Sequence, residues 1–200
     1  MMPVVRQPEP NTFDGDVRQP GVAFLKTSPN PTRKQFRKHG YWTKCLPDLR
    51  RAYGGVCAYS SMWIPFGGSV DHFEPKSVKP LLAYEWSNYR LASERLNHYK
   101  ADSTSVVDPF EVQSGWFELD FATFFVLPGP QLPVDVTARI EETIRTLRLN
   151  SDDSLVRGRF DITKDYADGH VTLGYLQSRY PLISSELIRQ GLQDSIKGTL

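Results

Sequence analysis

The chain has 200 residues, 40% of them hydrophobic and 12% aromatic, which is enough apolar material for a buried core and excludes wholesale disorder. No run nears the roughly 18 apolar residues of a membrane span, and the opening MMPVVRQPEP lacks the apolar stretch of a secretory signal. Two cysteines, Cys45 and Cys57, are too few for a disulfide framework, so a soluble, cytoplasmic protein is expected.

The formal charge of +1 conceals a division by position. Residues 1–100 carry 15 Lys and Arg against 8 Asp and Glu, whereas residues 101–200 carry 9 against 15. A basic half can follow a phosphate backbone, and an acidic half is repelled by one.

Residues 1–31 hold Pro3, Pro8, Pro10, Pro20, Pro29 and Pro31 and few periodic apolar positions, so an extended arm is expected there. The segment 32–110 should form the core. It opens with a dense basic stretch, Arg33, Lys34, Arg37, Lys38, Lys44, Arg50 and Arg51, interrupted by Tyr41 and Trp42. A short helix is expected from Pro47 to Tyr53, stopped by Gly54-Gly55. Strands are expected near 56–58 and 69–73, and a helix over Leu91–Lys100, which contains no Gly or Pro. Beyond 110 the texture changes. Phe117, Leu119 and Phe121 alternate with acidic residues as a half-buried strand does. Val136, Ile140, Ile144 and Leu147 follow at helical spacing behind Asp135 as a candidate N-cap. Further helices are expected over Asp152–Ala167, and from Val171 to Leu192 with a break at Pro181. The fold class is therefore α+β, with a mostly helical region over 111–200.

The chemistry concentrates between Gly54 and Lys100. Asp71-His72 at a strand end sets an anionic oxygen beside a base that titrates near neutrality. Strand alternation turns the two in different directions, one toward a metal and one toward a nucleophile. Asn97 on a helix offers a neutral oxygen, acceptable to Mg²⁺ beside a carboxylate. Asn88 is placed to accept a hydrogen bond from His72 Nδ1, which would leave Nε2 as the base. Each residue also has a purely structural reading. His72 can be a bonded core histidine, Asp71 a loop cap, and Asn88 a turn terminator. Asn97 can be an exposed helix position and Lys100 a solvated charge.

Together, Asp71-His72, Asn88, Asn97 nine residues later and Lys100 resemble the HNH endonuclease family, whose fold is the ββα-metal finger. The Pro75-Lys76 and Trp86-Ser87-Asn88-Tyr89 neighbourhoods look like those of HNH proteins found beside ATPases in bacterial anti-phage operons, as in Septu-type systems. The resemblance spans about 47 residues, from Gly54 to Lys100. It implies a DNA endonuclease that leaves 5′-phosphate and 3′-hydroxyl ends. Its metal ligands would be Asp71 and Asn97 for Mg²⁺ or Mn²⁺, with His98 a rival to Asn97. His72 would be the base and Asn88 its orienting partner. Arg33, Lys34, Arg37, Lys38, Lys76, Arg90 and Lys100 would supply backbone contacts. Many family members carry two Cys-x-x-Cys knuckles for zinc. Here those positions read Cys57…Ser60 and Ser93…Leu96, so no structural zinc is expected. The resemblance further implies an ATPase partner, and the acidic, helical second half, which DNA repels, reads as a docking surface for a partner protein or a second copy of the chain. A non-catalytic DNA-binding finger, an RNA nuclease and an adaptor with a vestigial finger are the competing readings.

Overall fold

Local signals for helix and strand alternate along the chain, and the computed structural model, which describes residues 1–197, answers them with a mixed α+β fold. It forms two units. The basic unit comprises Val5–Cys57 and Ile64–Thr104. It carries fifteen Lys and Arg against nine Asp and Glu. The acidic unit comprises Met1–Val4, Ala58–Trp63 and the chain from Ser105, with nine against fourteen. The charge division legible in the sequence thus follows the structural one. Among the described residues no helix is long and apolar enough to cross a membrane.

The basic unit begins with a correction. Residues 1–31 are not an extended arm: a π-helical turn, Asp14–Arg18, runs directly into α1 (Gln19–Thr27). Pro20, which has no N–H to donate, is the second residue of α1, just after the π-helical turn passes into it. Phe13, Val17, Phe24 and Leu25 are buried, and Phe13 packs edge-on to Trp86 at 5.6 Å and to Tyr89 at 5.8 Å. Helix α2 (Arg33–Lys38) starts with a capping box between Thr32 and Gln35. It buries Phe36 and leaves Arg33, Lys34, Arg37 and Lys38 exposed. Helix α3 (Leu46–Ala52) matches the expected 47–53 element and gives way to Gly54 and Gly55, both at positive φ.

Strands β1 (Ser69–His72) and β2 (Tyr89–Ala92) pair antiparallel, with His72 opposite Tyr89 and Ser69 opposite Ala92. Helix α4 (Glu94–Lys100) follows at once and packs on both strands. Its N-cap is Ser93, whose hydroxyl accepts from the Leu96 N–H at 3.3 Å. The helix expected from Leu91 therefore starts three residues later. All four β2 residues are buried, and ladder pairing with β1 overrides their tolerance for helix. The strand expected at 56–58 shrinks to a single bridge position at Val56.

In the acidic unit β3 (Phe117–Leu119) and β4 (Val126–Pro128) form a second antiparallel pair. The expected strand ends before Phe121 because the Asp120 carboxylate accepts from Ala122 N, Thr123 N and Thr123 Oγ1 and closes a turn. Helix α5 (Val134–Thr146) is preceded by Pro133 as its cap residue, so Asp135 stands in the first turn, not at the cap. Helix α6 (Asp153–Ala167) begins where its sequence signal lies, with Asp152 capping Ser154 N at 3.0 Å. Helices α7 (Leu173–Arg179) and α8 (Pro181–Arg189) are separated at Pro181 as expected. Ile140, Leu147, Leu176 and Leu187 form the fully buried interior of this unit. Arg159 is also 1% exposed; it donates to the Phe124 and Leu149 carbonyls at 2.7 Å each and leaves Nη1 without a partner.

Candidate functional site

The β1–β2–α4 substructure of the basic unit holds the marked residues. Strand alternation puts Ser69 and Asp71 on one side of β1 and Val70 and His72 on the other. Helix α4 lies against the Ser69–Asp71 side. From it, Asn97 Nδ2 donates to Ser69 Oγ at 3.0 Å and to the Val70 carbonyl at 3.4 Å. One turn later Lys100 Nζ meets Asp71 Oδ1 at 3.2 Å and the His72 carbonyl at 2.9 Å.

His72 is 5% exposed and sits in an aromatic wall. Trp42 meets its ring edge-on at 4.8 Å and Tyr89 at 5.2 Å. Its Nε2 lies 2.9 Å from the Ala83 carbonyl, which also accepts from the Tyr89 hydroxyl at 2.8 Å. A carbonyl only accepts, so Nε2 carries the proton and the neutral ring keeps its lone pair on Nδ1. Burial pushes the His72 pKa down to about 3, helped by the Lys76 and Lys100 charges and opposed by the bond to Ala83.

This reverses the expected tautomer and its cause. Asn88 does not orient His72. Its Oδ1 accepts from Glu74 N at 2.8 Å, and its Nδ2 donates to the carbonyls of Glu74 at 3.0 Å and Leu82 at 3.1 Å. One buried amide thus ties both ends of the 74–82 connection, which delivers Ala83 to His72. The Phe73 N–H bond to the Asn88 carbonyl, 2.9 Å, extends the strand ladder on the same side.

The basic side chains separate by burial. Arg33, Lys34, Arg37 and Lys38 are exposed on α2. Lys76 is half-buried, stands over the Trp42 ring at 5.2 Å, and has its pKa lowered mainly by burial. Arg90 and Lys100 do not face solvent, which corrects their expected role. Arg90 is 2% exposed and donates to the Ser87 and Tyr89 carbonyls at 2.9 Å each; Lys100 is 1% exposed and bound to Asp71. Lys100 is not a solvated charge either.

Beside α4 opens a cleft of about 310 Å³ whose lining includes Arg33, Ser69, Lys76, Asn97, His98 and Asp102. Asp102, Ser69 and Trp42 are site residues that the sequence does not single out. Trp42 is visible there only as an aromatic within a basic run, and the Ala83 carbonyl leaves no side-chain signal at all.

Asp71 and Asn97 supply oxygen donors, the type Mg²⁺ and Mn²⁺ take, and Mg²⁺ commonly completes its shell with water and substrate phosphate. The amide nitrogen of Asn97 is spent on β1, which leaves its oxygen as the donor atom. The residues fit such a cation in donor type, although it must share the Asp71 carboxylate with Lys100. Among the described residues no group of three or more His, Cys, Asp or Glu side chains is placed to hold a metal ion, at this site or elsewhere. At the positions of the absent second knuckle, Ser93 caps α4 and Leu96 is fully buried. No protein-family model matches the chain, and no curated protein matches it.

Proposed function

We propose that the basic unit is an HNH-type, metal-dependent endonuclease acting on DNA, with His72 as general base. The observation that carries this reading is the fixed tautomer of His72. A neutral imidazole with Nε2–H held by Ala83 offers Nδ1 as its one lone pair, on the face of β1 opposite the one that carries Asp71 and meets Asn97 of α4. Burial keeps the ring neutral across the physiological range, so Nδ1 holds its lone pair without prior deprotonation, while the same burial makes the protonated ring costly and the base a weak one. Asp71 and Asn97 would hold Mg²⁺ or Mn²⁺, which when bound supplies charge stabilisation at the phosphate. Asn88 is a positioning residue that fixes the loop bearing Ala83. Arg33 and Lys76 at the cleft, with Lys34, Arg37 and Lys38 exposed on α2, would hold the phosphate backbone without reading sequence. On the family resemblance, an ATPase would be the partner, anti-phage defence the role and the bacterial cytoplasm the location, with the acidic unit as the docking or self-association surface.

The test is cleavage of supercoiled plasmid by the purified chain with Mg²⁺ or Mn²⁺. Conversion to nicked or linear product, abolished by EDTA and ending in 5′-phosphate, supports the reading. Intact plasmid under every metal and partner condition would sink it. A second reading, a non-catalytic nucleic-acid-binding finger, draws on the buried Asp71–Lys100 pair, which neutralises the carboxylate a metal needs. It predicts binding without cleavage.

A further inference from the structure

Phe66 is a large aromatic with 90% of its surface exposed, and it belongs to the same basic unit as the cleft. Scattered exposed apolar residues are ordinary, but this one is presented by a built loop. The Arg50 guanidinium donates to the Ile64 carbonyl at 3.0 Å and to the Gly67 carbonyl at 2.6 Å, so it grips the turn on both sides of Phe66. Gly67 and Gly68 follow at φ +65° and +93°, a backbone path that most residues resist. A loop fixed this way loses little entropy when it binds, and a rigid aromatic tip is a low-cost contact surface.

The loop leads to the cleft. Ser69, three residues after Phe66, lines it, and so does Glu94, whose carboxylate lies next to Gly67. The cleft also presents Arg33 and Lys76, cations suited to phosphate. Three residues of chain reach at most about 11 Å, which bounds the separation of the Phe66 backbone from Ser69 at the cleft. The cleft sets these two cations among the carboxylates of Glu94 and Asp102, so its phosphate contacts are Arg33 and Lys76 alone; an exposed benzyl face on the same unit adds stacking, which tolerates any sequence because every base has a π-face.

We propose that Phe66 is a base-stacking subsite: it packs against an unstacked nucleobase flanking the phosphate bound in the Arg33–Lys76 cleft, so that single-stranded or locally opened DNA is the preferred substrate class. The proposal rests on the nuclease reading above and specifies which form of DNA it takes.

The experiment compares the whole chain with Phe66→Ala and Phe66→Trp, using one oligonucleotide as a single strand and as a duplex. Affinity and cleavage are measured over a range of salt. Phe66 touches little of its own protein, so the Ala variant should fold as the parent does. The expected result is a loss of single-strand affinity of roughly 5- to 150-fold in Phe66→Ala, the range that base–aromatic stacking spans, with near-parental binding in Phe66→Trp. The slope of affinity against salt should be unchanged, because the substitution removes no cation from the phosphate backbone. Equal affinity and cleavage in parent and Phe66→Ala would overturn the stacking subsite and leave the nuclease reading standing. A parent that neither binds nor cleaves nucleic acid would overturn both. Normal DNA handling with loss of a self-associated state in Phe66→Ala, read by sedimentation, would assign the side chain to an interface between copies and end the proposal.

Discussion

At the scale of single residues, His72 shows how a side chain's chemistry is decided by a neighbour's backbone. The sequence singles out the histidine and its Asp, but the atom that sets the tautomer is the Ala83 carbonyl, which no residue pattern records. The importance of Asn88 is legible in the sequence and its role is not, because an amide that can bond a ring can equally bond two backbone groups. The burial that keeps His72 neutral has a consequence for stability. Its pKa falls from 6.5 to about 3 on folding, so the unfolded chain binds a proton that the folded chain refuses between those values. The histidine's contribution is therefore complete above about pH 6.5 and is lost as the pH falls below it. Between pH 7 and pH 5 the parent should lose on the order of 1–2 kcal/mol more unfolding free energy than His72→Gln, measured by urea titration. Equal losses in the two proteins would contradict the buried, neutral state. Cys45 makes a second prediction. It is 3% exposed and burial pushes its thiol up to about 12, so it should resist a thiol reagent in the native protein and react once urea unfolds it.

At the scale of elements, the sequence is most legible where caps and breakers are local. Asp152 before α6 and Pro181 between α7 and α8 act through their own backbone, so their signals survive without tertiary knowledge. The helix over Gln19–Thr27 is hidden because prolines dominate the composition around it, and only the burial of Val17 and the contacts of Phe13 and Phe24 with aromatics distant in sequence justify it. Leu91 reads as helix in the sequence because propensity cannot see that β1 is waiting to pair with it. Two packing arrangements between elements are testable. In α1, Gly21 packs face-on to the Tyr84 ring so closely that a Cβ would overlap the ring carbons. Tyr84 cannot retreat, being 1% exposed with its hydroxyl bonded to the His39 carbonyl at 2.8 Å. Gly21→Ala should thus cost about 1–3 kcal/mol despite its better helix propensity, and a stabilised variant in thermal unfolding would refute this packing. Between α4 and β1, Lys100→Met breaks the buried ion pair with Asp71 and should cost about 3–5 kcal/mol. Adding Asp71→Asn should recover much of that cost, a coupling that two independent sites would not show.

At the scale of the molecule, the charge division is the feature most legible in the sequence, and it coincides with the two compact units. On the nuclease proposal, DNA belongs to the basic unit. Replacing Arg33, Lys34, Arg37 and Lys38 with Ala should weaken binding to all sequences alike. Each phosphate no longer neutralised should reduce the slope of log affinity against log salt by about 0.9. An unchanged slope would remove α2 from the interface. Arg90 and Lys100, which by charge alone belong with these cations, should contribute nothing to that slope because both are buried. The central claim is that His72 accepts the proton of the attacking water, and single-turnover cleavage of a DNA fragment with binding measured in parallel tests it most directly. The account predicts that His72→Ala lowers the cleavage rate by about 10²–10⁴-fold while DNA affinity stays near that of the parent. A variant that binds normally and still cleaves at a near-parental rate would contradict it.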